Sequence, residues 1–352
     1  MTDYSDDYEG AIVPFAEVLP QDDLLHANEK DMPFTRVETY LLGFNVPEED
    51  INCNIYLLWH PAFATMSAHV FVNRGARVFS HQLASDYFNE HLYLPAAEGP
   101  DRFELSLGSL NMTVAILDPL ERLAITMRDA ERGFSLDLES RAALPPVGRP
   151  GGKHFTQLMR NRGELILNGE RHAIDGHYMR DRSWGYQRPE GAEDAPPYRW
   201  ITGWTDKGEG FVIAWLDTAM MGESYAGWGA QGDGNRSANK WEHGGATPSV
   251  TLRSGWISRD GCPRAVRSAR ISCTARGDDF RRTQTITLDV IDETGEAHRI
   301  MGEVRQSYPK MYWGTMLTWM HLVSLEWNGE KGHGDLMDTF SHWHMRVPET
   351  VA

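Results

Sequence analysis

The stretch Gly176–Arg188, GHYMRDRSWGYQR, sits almost at the midpoint of the 352-residue chain and sets His177, Arg180, Asp181, Arg182 and Arg188 beside Tyr178, Trp184 and Tyr186. Charge and broad aromatic surface coincide there. Burying such a mixture is costly unless its polar groups are hydrogen-bonded or paired. The stretch therefore reads either as a polar ligand site or as an ion-pair and aromatic lock between two halves of the molecule.

Working back from it, ELILNGERHAIDG is two β-like runs joined at Asn168-Gly169, a dipeptide suited to a tight hairpin. Before that, Pro145 to Gly152 reads as a linker or long turn. From 37 to 139 the chain is a series of short runs of β-branched, aromatic and leucine residues, at 37–44, 51–59, 65–72, 77–83, 90–94, 101–107, 110–117, 121–128 and 133–139. That length and spacing favour antiparallel β structure. In NIYLLWH, Asn54, Tyr56, Leu58 and His60 share one face and Ile55, Leu57 and Trp59 the other. Both faces have something to pack against. Residues 1–33, acidic and broken by Pro14, Pro20 and Pro33, read as an arm that packs on the body, with a short helix near 22–29.

Working forward, YRWITGWT aligns Tyr198, Trp200, Thr202 and Trp204, and FVIAWLD aligns Phe211, Ile213 and Trp215, an expected aromatic wall. Residues 221–247 carry seven glycines without a dinucleotide or phosphate-loop pattern and read as an extended loop over a cavity. Later strands are expected at 249–257, 264–274, 282–291, 297–305, 313–327 and 339–347. MYWGTMLTWMHLVSLEW fits a helix crossing or plugging a barrel as well as a bent strand. TFSHWHMRV places Phe340, His342, His344 and Arg346 on one strand face.

A formal charge of −16 disfavours nucleic acid and anionic membranes as partners, since both need a basic surface. The three cysteines lack ligand-like spacing and argue against a disulfide framework. No signal peptide or membrane-length apolar run is legible, so no membrane insertion and a cytoplasmic location are expected. Two alternating histidines without a third ligand do not make a metal site.

The central DRSWG (Asp181–Gly185) with Arg188 beyond it, the preceding ELILNGERHAIDGH, the following YRWITGW and the closing GHGDLMDTFSHWH together resemble the AttH-like and carotenoid 1,2-hydratase (hydroxyneurosporene synthase-like) superfamily, over residues 35–350. The resemblance implies an all-β fold of two lipocalin-like antiparallel β-barrel or β-sandwich domains packed together, with few short helices. The expected division is an arm at 1–33, a first β domain at 34–175, and a second at 176–352 carrying DRSWG. Relatives include hydratases and cyclases of apolar or polycyclic substrates, which implies a cavity near the domain junction. Related members often carry charged residues where this chain has Tyr178 and Met179, and an acid near the closing strand, where it offers Asp335 and Asp338.

The expected activity is a lyase or isomerase without redox cofactor or metal, chiefly a hydratase or dehydratase, on an apolar or aromatic small molecule. A pericyclase-like cyclase and a noncatalytic carrier are the alternatives, and a homodimer is compatible with either. Such chemistry needs a proton donor near the reacting carbon or oxygen and a second group to position water. His177, Asp181, Arg182 and His342 are the catalytic candidates; Trp184, Arg188, Trp200, Trp215, His321 and His344 are the substrate-binding candidates. Arg182 and Arg188 would orient an oxygen-bearing group or pair with Asp181.

Overall fold

The computed structural model describes residues 4–9, 14–26, 36–63, 65–75, 85–93, 100–149, 152–187, 198–217, 250–276, 283–312 and 316–341. Short apolar and aromatic runs become strands. Among the described residues only three single-turn 3-10 helices interrupt them, at Pro20–Asp23, Pro47–Glu49 and Pro61–Phe63. The first ten strands are β1 (Tyr4–Glu9), β2 (Arg36–Val46), β3 (Ile51–His60), β4 (Thr65–Arg74), β5 (Ser85–Tyr93), β6 (Arg102–Leu107), β7 (Leu110–Asp118), β8 (Arg122–Asp129), β9 (Phe134–Ala142) and β10 (Val147–Gly148). The others are β11 (His154–Leu167), β12 (Glu170–Gln187), β13 (Tyr198–Thr205), β14 (Gly210–Asp217), β15 (Val250–Ser258), β16 (Arg264–Arg276), β17 (Thr283–Asp292), β18 (Ala297–Tyr312), β19 (Met316–Trp327) and β20 (Glu330–Ser341).

They form two lipocalin-like units. One sheet runs β5-β4-β3-β2-β12-β11-β9-β8-β7-β6, with β10 added to β11. It curls around a core that includes Phe44, Ile55, Leu57, Met66, Val70, Leu110, Met127, Leu136 and Leu165. The other runs β16-β15-β14-β13-β20-β19-β18-β17 and closes by pairing β17 with β16. Its interior holds Ile201, Phe211, Ile213, Leu288, Ile300, Leu325, Trp327 and Leu336. No helix among the described residues is long and apolar enough to cross a membrane.

The two-residue period places side chains as the sequence implied. On β3, Ile55, Leu57 and Trp59 enter the first core, leaving Asn54 and Tyr56 on the opposite face. Asn168 and Gly169, both at positive φ (54° and 81°), join Leu167 to its partner Glu170 in a two-residue hairpin. Glycine carries that backbone freely and asparagine tolerates it, whereas a branched side chain would not.

Several expectations change. DRSWG lies in β12, which pairs with β11 and β2 of the first sheet as far as Gln187, so the changeover between sheets falls after the motif rather than before it. MYWGTMLTWMHLVSLEW is no helix where described: Met316–Trp327 pairs on both sides as β19, because neighbours on either edge satisfy its backbone. The closing strand begins earlier than expected, at Glu330. The aromatic wall splits, with Trp200 and Trp204 facing the first sheet while Phe211 and Ile213 enter the second barrel. The run at 77–83 and the glycine-rich 221–247 both lie wholly outside the described residues.

The acidic arm serves both units. Its β1 extends the second sheet beside β16. Its Pro20–Asp23 turn enters the first unit: Asp23 is buried, Leu25 joins the first core, and the Leu25 amide donates to the Pro100 carbonyl. The short helix is thus at 20–23 rather than 22–29, initiated by Pro20 at its first position.

Candidate functional site

Alternation along β12 divides the central motif between two environments. Arg180, Arg182 and Trp184 turn toward the inserted arm. Arg180 donates twice to the Asp23 carboxylate, at 2.8 and 3.1 Å, and to Gln157 Oε1. Arg182, fully buried, donates to Glu38 Oε2 at 2.7 Å and to the Leu24 carbonyl at 2.8 Å, and its guanidinium stacks 4.2 Å over Tyr40. Trp184 stacks on His26 with ring centroids 5.5 Å apart. Burial alone would push the Glu38 carboxyl up, yet His26 and Arg182 together hold it below its ordinary value. This half of the motif is a latch on the arm. Arg182 pairs with Glu38 on the opposite face from Asp181.

The other face carries His177 and Asp181 toward the second unit. They share a side of β12 as expected, but four strand residues separate them by about 13 Å, too far for one proton transfer. Asp181 Oδ2 lies 3.4 Å from His154 Nε2, and the Arg149 guanidinium approaches the same nitrogen at 3.1 Å. His177, a cross-strand partner of Arg160, abuts Gly208 of the β13–β14 turn. Burial, reinforced by the Arg160 charge, pushes its imidazole down to about 4. His177 is therefore neutral at physiological pH, a weak base whose protonation its surroundings oppose.

His321 goes elsewhere, inside the second barrel. Its Nδ1 lies 2.8 Å from Ser307 Oγ and its Nε2 3.8 Å from Asp338 Oδ2. Asp338 accepts from Arg199 Nε at 2.7 Å and from Thr283 Oγ1. The backbone of Trp215 lies in β14. Arg188, His342 and His344 lie outside the described residues. One group among the described residues has metal-ligand composition, Asp292, Glu296 and His298 at the β17–β18 turn. There the Arg264 guanidinium already stands 3.8 and 3.7 Å from the two carboxylates.

Asp181 and Trp200 do meet a common surface. Tracing Cα partners across the first sheet gives the row His69–Tyr56–Leu41–Asp181–Thr156. Across the second sheet it gives Ala214–Trp200–Met337–Met320–Tyr308. These surfaces pack on one another. Leu41, Leu158, Tyr178 and Met179 meet Trp200, Trp204, Val212 and Trp256 in an apolar seam, and Trp256 Nε1 donates to Thr156 Oγ1 at 2.8 Å. Beside the seam, Phe71 packs against Tyr308 with ring centroids 4.3 Å apart and planes tilted by 59°, and buried Lys310 lies 5.0 Å over Tyr56.

At the centre of this junction is a carboxyl. Asp335 of β20 accepts from Asn52 Nδ2 at 3.1 Å and is hydrogen-bonded to the Tyr178 hydroxyl, which itself accepts from Asn54 Nδ2 at 3.2 Å. Asp335 retains some accessible surface, yet protein surrounds it. Desolvation outweighs both hydrogen bonds and pushes its carboxyl up to about 7.

Around it, asparagines occupy strand positions they seldom favour. Asn45, Asn52 and Asn73 are successive Cα partners on β2, β3 and β4, and Asn54 lies two residues along. All four are buried. Asn45 Nδ2 and Oδ1, Asn73 Nδ2 and Oδ1, Asn52 Oδ1, Asn54 Oδ1 and the facing Gln306 Oε1 have no protein hydrogen-bond partner among the described residues. Leaving one such atom unpaired costs about 1–3 kcal/mol, against a typical net stability of about 5–15 kcal/mol. So many together on one face are unusual for a folded protein and single this part of the junction out.

Sequence reasoning named Asp335 only as an acid near the closing strand, and it passed over Asn45, Asn52 and Asn73. The available signal was four asparagines within β2–β4, a residue type depleted in strands. Their convergence with Asp335, almost three hundred residues later, has no sequence signature.

Solved structures share this architecture. CghA with Sch210972 aligns with a TM-score of 0.56 at 12% identity, covering 96% of this chain and 98% of that one. A protein described as a putative AttH from Nitrosomonas europaea aligns at 0.56 and 14% identity, covering 92% and 96%. Kievitone hydratase from Nectria haematococca aligns at 0.55 and 10% identity, covering 96% and 98%. Likeness at that identity establishes the fold, the AttH-like pair of lipocalin-like units that the central motif implied. A search of curated proteins by sequence finds no match. Residues 19–344 match the family model described as Domain of unknown function (DUF7064), and the chain belongs to that family.

Proposed function

We propose that the protein is a lyase or isomerase, chiefly a hydratase or dehydratase, acting without a redox cofactor on an apolar or aromatic small molecule held between the two sheets. The observation that carries this reading is Asp335: a carboxyl raised to about 7 inside the junction, fixed by Asn52 and Tyr178 and flanked by aromatic side chains. Near neutral pH such a group holds its proton about half the time, the condition for donating it and taking it back. In a dehydration, Asp335 gives its proton to a departing hydroxyl, which leaves as water, and the carboxylate so formed takes a proton from the adjacent carbon, completing the alkene and restoring the acid. In a hydration, the order reverses. The aromatic faces of Trp200 and Trp204 favour a developing cation, and closure by both sheets limits competing water. Asp181, in the same junction-facing row as Tyr56 with Leu41 between them, is the second carboxylate, for positioning water. Arg182 contributes through the latch rather than by touching substrate. A hydratase shares the fold, which agrees with this chemistry at the level of reaction class.

The test is to incubate the purified protein with a fractionated small-metabolite extract in H₂¹⁸O and follow masses. Loss or gain of water with ¹⁸O exchange, abolished in Asp335→Asn, is the expected outcome. A product of unchanged mass but altered retention, without ¹⁸O, would indicate isomerisation or cyclisation in place of hydration. A ligand retained and returned unchanged would make the protein a carrier and defeat the lyase reading.

A further inference from the structure

The unpartnered amides around Asp335 are arranged as a surface. The Asn45–Asn52–Asn73 row and Asn54 stand on the same side of β2–β4 as Tyr56 and Phe71, the side away from the first core. Gln306 faces them from β18, anchored by its Nε2 to the Asp50 carbonyl, and its Oε1 is left without a protein partner. Asn54 is the Cα partner of Phe71, and Asp335 lies two residues from Met337, which packs beside Phe71, Tyr308 and Met320. An amide wall thus continues directly into an aromatic and methionine wall, with the Asp335 carboxyl at their boundary.

The chemistry of the wall selects its occupant. It offers donors at Asn45 and Asn73 Nδ2 and acceptors at Asn52 Oδ1, Asn54 Oδ1 and Gln306 Oε1. A hydroxyl, which both donates and accepts, matches that mixture. An anion would meet the carboxyl of Asp335; of the nearby cations, Arg305 is already paired with Asp50 and Lys310 is engaged with the Tyr56 and Phe71 rings, 5.0 and 5.2 Å from their centroids. We propose that Asn45, Asn52, Asn54, Asn73 and Gln306 form an oxygen-recognising subsite that takes neutral hydroxyl groups of a small molecule whose apolar body lies against Tyr56, Phe71, Tyr308 and Met337. This rests on the reading of the junction as the ligand site and narrows the ligand to a hydroxylated, largely apolar ring compound. Asn52 and Asn54 hold Asp335 and Tyr178 with their amide nitrogens and present their oxygens to the ligand.

Equilibrium dialysis of the full chain against naphthalene and 2,7-dihydroxynaphthalene tests the proposal without knowledge of the natural substrate. The diol should bind at least ~10-fold more tightly, because a site built to hydrogen-bond a hydroxyl rejects the analogue lacking it. Asn45→Leu and Asn73→Leu should reduce that preference below ~3-fold while leaving naphthalene binding within ~2-fold of wild type, with the unfolding transition preserved. If a leucine variant does not fold, Asn73→Ser replaces it, and an undiminished preference there overturns the proposal. Equal affinity of the wild type for both compounds would mean that the amides hold only solvent; it would sink the subsite and leave the junction as an apolar ligand site. Failure to bind either compound overturns both the subsite and the functional reading on which it rests.

Discussion

Asn52 Nδ2 donates to Asp335 Oδ1 at 3.1 Å, joining the third strand of the chain to the last described one across the face where the two sheets meet. The contact fixes the carboxyl without supplying a positive charge, so burial remains the dominant influence on its protonation. An arginine in place of Asn52 would hold the acid ionised.

Asp335→Asn should fold and lose at least ~100-fold in turnover, the range associated with one general acid. The pH dependence of stability provides a separate measurement. A carboxyl raised to about 7 makes the native state bind a proton more tightly than the unfolded chain. Its contribution is therefore greatest below the unfolded pKa near 4 and is lost as pH rises through about 7. Denaturant unfolding from pH 4 to 8 should show wild type losing up to about 4 kcal/mol relative to the variant. Parallel curves would show that Asp335 titrates normally.

His177 has the opposite sign. Its depressed imidazole is neutral in the native state down to about 4, whereas the unfolded chain takes up a proton near 6.5. Stability from this group is fully present above pH 6.5 and declines toward pH 4, by up to about 3 kcal/mol. His177→Gln should flatten that decline. The two slopes oppose each other between pH 4 and 6.5, so single variants are needed to expose either.

Arg182→Met should destabilise the protein by about 3–5 kcal/mol, since it strands Glu38 as a buried charge. Glu38→Met combined with Arg182→Met should recover much of that loss, as replacement of a whole buried pair is better tolerated than removal of one partner. Limited proteolysis should cut near Leu24 in the single variant, whose arm has lost the Arg182 donor to the Leu24 carbonyl. An intact arm in the single variant would refute the latch.

Gly43→Ala tests how closely Tyr178 is held. A Cβ at Gly43 would lie 2.6 Å from the Tyr178 ring and also meet the Cys53 carbonyl. We expect a loss of about 1–3 kcal/mol from overpacking. Turnover should fall further than stability, because the ring that hydrogen-bonds Asp335 must move; unfolding curves and rate measurements on the same preparation separate the two.

Asp181→Asn distinguishes chemistry from architecture at the other carboxylate. Retained folding with lost turnover would assign Asp181 to the reaction. Equal losses would assign it to the His154 and Arg149 cluster.

Much of the fold was legible because strand periodicity is local. The two faces of NIYLLWH, the Asn168-Gly169 hairpin and the all-β texture each depend on residues within a few positions of one another. Local pattern also showed that Gly176–Arg188 mixed charge with aromatic surface. It could not separate the two sides of β12, because alternation says which residues share a face and not what that face meets. Arg182 therefore looked like a neighbour for Asp181, although Glu38 and the arm receive it.

The sequence by itself determined the strand composition, the motif and the resemblance to a pair of lipocalin-like units. Only the tertiary structure decided which sheet owns the motif, that the arm enters the first unit, and that Asp335 shares a junction with Tyr178 and the asparagines. Those outcomes depend on contacts between strands far apart in the chain. Desolvation acts similarly: Asp335 and Asp338 are three residues apart, yet Asp338 receives Arg199 inside a barrel while Asp335 turns into the junction without a cation. Their different chemistry comes from what surrounds each carboxyl, and those surroundings exist only once the two sheets have packed.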